Sequence, residues 1–390
     1  MNPSADGWIK KLLKDVSKNE TYLKLPLDAF YKQLKHSGYI YGSNVGVLFG
    51  VFDKGDWTDE ELCKVNHVLV LYYMYRNHST ANNFVEQTIQ FYKSIEDYKQ
   101  SFIEGIFGKR KSGLLLESII HKRIHIDDNV ITKNFNYFIT NALLFIDVLA
   151  FQKHLTGKTI NENYFKQMEL AVETIALTVF ELKVNKSEYD KSLIKLFEVS
   201  LRYQPDNNKD YKDIIVTLIE PFEKLYALDI ACMAAWSDKE LDNKELEFLG
   251  AFSKDMHLPD DIVRTAIADI NSFYVINKDR VALLNNKNMV QSFYDNSSKM
   301  VVKLINRNSK RLLRELKESK ELMALLSKST TKSLTPEEAK KVQKQLMDII
   351  KSIPSLAIFM LPGGAILLPL FVKFIPKLLP SSFDENRIED

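Results

Sequence analysis

Apolar side chains recur at steps of three and four residues through most of this chain, and strand-like alternation is nearly absent. Glycine, which interrupts helices, is scarce: 13 in 390 residues. Stretches such as FNYFITNALLFIDVLAFQKHL (135–155) and YFKQMELAVETIALTVFEL (164–182) are long enough for several helical turns with one wide apolar face. The spacing predicts an all-α protein whose body is a multi-helix bundle. In 214–236 Pro221 falls inside such a pattern and is expected to kink or divide the helix, because it lacks an N–H and clashes with the preceding turn. The polar runs at 203–210 and 327–338 are the clearest breaks. Four regions follow: an N-terminal helical region (1–130), a second helical domain (131–275), a basic helical connector (276–330) and a C-terminal segment (331–390).

That last segment is of another kind. It reads IPSLAIFMLPGGAILLPLFVKFIPKLLPSSF over 353–383, and no charged side chain occurs from Ser352 to Val372. At about 1.5 Å per residue such a run is long enough to cross a bilayer core of about 30 Å. Pro354, Pro362, Pro369, Pro376 and Pro380 punctuate it, with Gly363 and Gly364 at its centre. The chain is therefore expected to end in a proline-broken apolar segment of membrane type. Backbone groups freed at the break would need shelter, which points to a homo-oligomer through this segment. A helical hairpin packed on the rest of the protein is the competing reading, since apolar pieces of 10–14 residues are often core helices.

Composition places few other limits. The chain is 45% hydrophobic and 27% charged, as folded proteins are, and its net charge of +2 sets up no global field toward nucleic acid. Cys63 and Cys232 lie far apart in apolar helical patterns, so neither a disulfide framework nor a metal-ligand spacing is present, and a reducing compartment fits. At the start, Trp8, Ile9, Leu12, Leu13 and Val16 share one helical face with lysines elsewhere. Such a helix lies in a membrane interface or docks on the body, and docking is the favoured reading.

Three helix junctions resemble one another: FDKGDWTDEEL (52–62), HLTGKTINENYF (154–165) and WSDKELDNKELEFL (236–249). Thr58 with Glu61, and Asp242 with Glu245, have the spacing of capping boxes. The region 145–275 also resembles the tellurite-resistance TerB-like domain. Asp238, Leu241, Asp242 and Glu245 fall on its acidic junction, and Gly157, Ile160 and Asn161 on a partner copy without the acids. Asp238, Asp242 and Glu245 are the only metal-ligand candidates this offers. DKELDNKE lacks the mid-loop glycine and several oxygens of a calcium loop, so helix capping is the expected role.

No reaction chemistry emerges. Glu117, His121 and His125 share a helical face without the zincin order or an answering cluster. GIFGKRKSG (105–113) follows a helical pattern rather than a strand, and its residues are in the wrong order for a phosphate loop. The expectation is a non-enzyme without cofactor. A stronger signal is KMVVKLINRNSKRLLRELKESK (299–320), where Lys303, Arg307, Lys310, Arg314 and Lys317 follow at steps of four and three. Ile305, Leu312, Leu316 and Met323 mark its apolar side. A one-sign stripe ahead of a membrane-grade segment suits anionic lipid or RNA.

From about Leu334 the chain resembles the membrane segment of the Letm family, the leucine-zipper and EF-hand-containing transmembrane proteins of the mitochondrial inner membrane. The resemblance rests on Pro354, Pro362, Leu368 and Pro369, Lys373 to Pro376, and Leu379 to Phe383. It implies a membrane-associated protein linked to cation homeostasis, with inner-membrane lipids as partners and the ribosome or another RNA as a second partner class. The lysine- and asparagine-rich composition suggests a bacterial inner-membrane protein with its body in the cytoplasm. Read to Asp390, the chain lacks the family's EF-hand and coiled-coil parts, which favours a binding or scaffold role. A cation/proton exchanger subunit and a soluble RNA-associated factor are the alternatives.

Overall fold

The structure, a computed structural model, describes residues 1–50, 57–95, 112–124, 130–158, 160, 163–183, 211–236, 241–278, 289–353, 356 and 367–378. Among these residues every regular element is a helix. The N-terminal part contains α1 (Trp8–Val16), α2 (Glu20–Leu23), α3 (Leu27–His36), α4 (Asp59–His78), α5 (Phe84–Ser94) and α6 (Ser112–Ile124). The long α7 (Val130–Leu155) and α8 (Tyr164–Leu182) follow, then α9 (Tyr211–Ile215), α10 (Pro221–Ala235), α11 (Asn243–Asp255) and α12 (Asp260–Asn277). The C-terminal part is α13 (Met289–Arg307), α14 (Ser309–Lys317), α15 (Lys320–Thr331), α16 (Pro336–Ser352) and α17 (Leu368–Leu378).

Helices α1–α12 close one hydrophobic core, in which α4 packs on α7, α8 on α10 and α12 on α3. Trp8, Ile9, Leu12 and Val16 are buried in it, so α1 docks on the body. Pro221 divides its segment: it stands at the first position of α10, where its missing N–H costs nothing. Both expected capping boxes are formed. Thr58 and Glu61 start α4, and Asp242 and Glu245 start α11.

Two polar clusters lie inside this core. Asp147 accepts from the Arg123 guanidinium in a two-pronged pair and from the Tyr92 hydroxyl at 3.1 Å. Because Tyr92 spends its proton on that carboxylate, its oxygen must accept from His67 Nε2, 2.9 Å away. Burial holds the His67 pKa down to about 4, so the ring is neutral near neutral pH with its proton on Nε2, and its Nδ1 accepts from the Tyr39 hydroxyl at 2.5 Å. The turn that delivers Tyr39 requires Gly38, whose φ is 78° and where a Cβ would meet the Ser43 carbonyl at 1.9 Å. The second cluster joins α3 to α10 and α12. Lys35 Nζ lies 2.9 Å from Asp229 and 3.1 Å from Asp269, and Tyr31 donates to Asp229 at 2.7 Å.

Helices α13–α17 form a second core. It contains Val301, Leu304 and Ile305 of α13, Leu312 and Leu316 of α14, and Leu322, Met323 and Leu326 of α15. Val342, Leu346 and Ile350 of α16 and Leu370, Phe371 and Ile375 of α17 complete it. The described residues do not support the membrane-type reading of the C-terminal segment. Among the described residues no helix is long and apolar enough to cross a membrane. With 11 residues, α17 spans only about 16 Å against the roughly 30 Å required. Ile353, Leu356, Leu367 and Leu368 are also buried in the second core. The competing reading, apolar pieces packed on neighbouring helices, describes these residues. Pro376 sits inside α17, and Pro369, its second residue, is exposed. Pro354, Pro362, Gly363, Gly364, Pro380 and Phe383 lie outside the described residues.

Candidate functional site: a basic helical module latched to the body

The module α13–α17 concentrates positive charge. Residues 299–378 carry 16 lysines and arginines against 6 aspartates and glutamates, whereas the whole chain has 53 against 51. The expected stripe is not one continuous helix, however. Asn308 ends α13 and stands before α14: its N–H bonds back to Leu304 and Ile305, and its side chain donates to the Leu304 carbonyl. Asparagine bonds readily to nearby backbone and so competes with helix continuation. The five residues of the stripe consequently divide into two groups.

Lys303 and Arg307 face the body. Arg307 Nη1 donates to Glu61 Oε2 at 2.5 Å, with Arg307 17% and Glu61 1% exposed. Lys303 donates to the Trp57 carbonyl. Glu61 is already occupied as the partner of Thr58 in the α4 capping box and accepts from Ser4 Oγ at 2.6 Å. One carboxylate thus joins the N-terminus of the chain, the start of α4 and the end of α13. Burial opposes its ionisation, but the Arg307 bond and charge, with Ser4 and the Thr58 N–H, hold its pKa below the usual glutamate value. These two cations latch the module to the body, which corrects their assignment to a lipid- or RNA-facing surface.

Lys310, Arg314 and Lys317 point outward. In α14, Leu312 and Leu316 turn into the core while these three side chains share the exposed face. The Arg314 side chain is 68% exposed, with its own neighbour Glu315 at 3.9 Å. Arg311 turns to the Ser352 carbonyl and fixes α14 against the end of α16. On α16, Lys340 and Lys344 are exposed, and like Lys310 they have no carboxylate partner among the described residues. Lys328 with Glu338, Lys341 with Glu321 and Lys351 with Asp348 form ion pairs that tie the module internally. Lys373 is exposed on α17.

Residues 334–390, which include α16 and α17, match a family described as "LETM1-like, RBD". This part of the chain is Letm-related. A curated relative, the mitochondrial proton/calcium exchanger protein of Drosophila melanogaster, is 42% identical over 55 residues. That alignment covers 14% of this chain and 5% of the relative, so the chain spans only a small part of the protein it matches. No solved structure matches. These findings do not reach the TerB-like resemblance of 145–275. The Letm-related stretch does not stand apart: its α16 and α17 share one core with α13–α15.

The other candidates have local roles. Asp242 caps α11, and Glu245 returns the bond and lies 3.5 Å from Lys183, while Asp238 lies outside the described residues. Among the described residues no group of three or more His, Cys, Asp or Glu is placed to hold a metal. Glu117 accepts from the N–H groups of Gly7 and Ile9 at 2.9 Å and so caps α1. His121 lies 3.8 Å from Glu60, and His125 is outside the described residues. Capping at Glu61 is legible from its spacing to Thr58, but its second role is not, because its partner Arg307 is 246 positions away.

Proposed function

We propose that this protein is a membrane-linked binding or scaffold protein serving cation homeostasis, in which the body carries the Letm-related module and the module meets an anionic lipid surface. The single observation that supports the reading most is the outward cationic face of Lys310, Arg314 and Lys317 on a module that also contains the Letm-related helices. Each basic residue near an anionic bilayer adds about 1 kcal/mol of attraction, screened by salt. Such a surface is a means of attachment that needs no spanning helix. Ion exchange by the chain itself is not part of the proposal. Proton coupling through a membrane calls for ionisable groups at depth, and Ser352–Val372 contains no charged residue.

Co-sedimentation of the full chain tests the reading. Vesicles of phosphatidylcholine with phosphatidylglycerol should carry the protein down, pure phosphatidylcholine should not, and salt should release it. Indifference to lipid charge together with retention by ribosomal RNA would replace the lipid surface with an RNA surface, which the same cations would serve.

A further inference from the structure

A second cationic surface lies on the body, on the outward side of α1. Trp8, Ile9, Leu12 and Val16 are buried, so α1 lies flat with its apolar face committed to the core. Lys10, Lys11 and Lys14 are exposed on it, and Lys18 is exposed in the turn that follows. At 3.6 residues per turn the three helical lysines fall within an arc of about 100°, opposite the buried face. Asp15, the one acid between Trp8 and Lys18, lies outside that arc.

Folding alone gives no reason for this arrangement. Lysines four apart, as Lys10 and Lys14, or three apart, as Lys11 and Lys14, repel one another on a helix surface. Lys10 also stands in the first turn, where the unsatisfied N–H groups disfavour a cation. None of the four has a carboxylate partner among the described residues, whereas Lys35, Lys64 and Lys153 of the same body are each paired. A face whose charges oppose the helix that carries them is relieved by an external anion. Its place relative to α14 is fixed as well. Glu61 accepts from Ser4 at 2.6 Å through one oxygen and from Arg307 at 2.5 Å through the other. Lys10 follows Ser4 by six residues, and Lys310 follows Arg307 by three. The cationic faces of α1 and α14 therefore both begin close to one carboxylate.

We propose that the lysine face of α1 is a second contact with anionic lipid, beside that of α14. The inference rests on the reading of α14 as a lipid surface and extends it to the N-terminal helix. Glu117, which accepts from the Gly7 and Ile9 N–H groups, and the buried apolar face hold α1 on the body, so it meets the headgroups without inserting. Lysine is a compact point charge suited to diffuse attraction by lipid phosphates. The face presents no arginine for bidentate phosphate contacts and no aromatic ring for base stacking, since Trp8 is buried. That favours a lipid surface over RNA. Two contacts on one vesicle act together, so loss of either weakens the whole.

The affinity of the full chain for vesicles of phosphatidylcholine with phosphatidylglycerol tests it. The Lys10→Gln, Lys11→Gln, Lys14→Gln, Lys18→Gln variant should bind at least about tenfold more weakly than the wild type at low salt, and the difference should narrow as salt rises. Its denaturation midpoint should equal or exceed that of the wild type, because the repulsion is gone and the buried face is untouched. A variant with the same loss of charge on and beside α11 and α12 (Lys244→Gln, Lys254→Gln, Arg264→Gln, Lys278→Gln) should lose clearly less affinity. Unchanged affinity of the α1 variant, a lowered midpoint, or an equal loss in the α11 and α12 variant would each overturn the proposal. Unchanged vesicle affinity with lost retention by ribosomal RNA would overturn it in favour of an RNA surface. The Lys310→Gln, Arg314→Gln, Lys317→Gln variant separates the two readings. A loss there without one in the α1 variant overturns this inference alone, whereas absence of vesicle binding by the wild type overturns both.

Discussion

Arg307, the last residue of α13, donates to Glu61 across 2.5 Å and nearly the full length of the body's sequence. The pair joins two separately cored sets of helices at a carboxylate that is 1% exposed. Replacing a partner of such a pair leaves a buried charge uncompensated, which costs more than the intact pair contributes. Arg307→Gln should therefore destabilise by about 2 kcal/mol in chemical denaturation, discounted for the partial exposure of the arginine. Glu61→Gln combined with Arg307→Gln should recover part of that loss. Additive effects of the two changes would show that the contact is not energetically coupled.

The same pair gives a pH dependence. The Glu61 carboxyl is held below its ordinary value, burial opposing and Arg307 outweighing it, so its stabilisation is present above the unfolded glutamate pKa. It is lost as pH falls through the lower folded value. Hydrogen exchange in α13 should accelerate in that acidic window in the wild type and show a weaker pH effect in Glu61→Gln.

His67 acts in a different window. Burial pushes its pKa down to about 4 from 6.5, against the attraction of Asp147 and with the repulsion of Arg123. Between those values the unfolded chain takes up a proton that the folded chain refuses, so stability falls as pH drops from about 6.5 to 4. The loss should amount to about 3 kcal/mol. His67→Phe should start less stable, because Tyr39 and Tyr92 lose partners, but should flatten this slope. A slope unchanged in the variant would place the proton uptake elsewhere.

The second core makes a claim about Phe371, which is fully buried on α17, the helix that packs on α13 and α15. Phe371→Ala should cost about 3 kcal/mol or more in the absence of any membrane, while a change at the exposed Pro369 should cost little. Equal, small effects would mean that α17 contributes nothing to the module's packing in solution.

At the acidic junction, Asp242→Ala should cost about 1 kcal/mol, the usual worth of an N-cap. Calcium bound at micromolar affinity in calorimetry, and lost on Asp238→Ala, would contradict a purely capping role.

Much of the fold was legible in the sequence for local reasons. The capping boxes at Thr58 and Asp242 involve residues three apart, and the division at Pro221 follows from one missing N–H. The buried face of α1 follows from its 3.6-residue period. What escaped depends on long-range pairing. Asp147 and His67 are polar residues inside the apolar runs NALLFIDVLAF and VNHVLVLYYMY, and nothing local names Tyr39, Tyr92 and Arg123 as their partners. The division of the stripe on 303–317 is hidden for a similar reason. Periodicity assumed one helix, and Asn308 divides it so that two of five cations turn to the body. The uncharged run at the C-terminus satisfies a length criterion for membrane spanning, yet most of its described apolar residues are buried in an intramolecular core, and the one helix described within it, α17, is short.

The central claim is that the outward face of α14 attaches the protein to anionic lipid. The most direct measurement is the affinity of the full chain for phosphatidylglycerol-containing vesicles, compared with that of the Lys310→Gln, Arg314→Gln, Lys317→Gln variant across a salt series. Three surface cations at about 1 kcal/mol each predict a loss of roughly 100-fold at low salt, with a difference that narrows as salt rises. Equal affinities of the two proteins at every salt concentration would contradict the account.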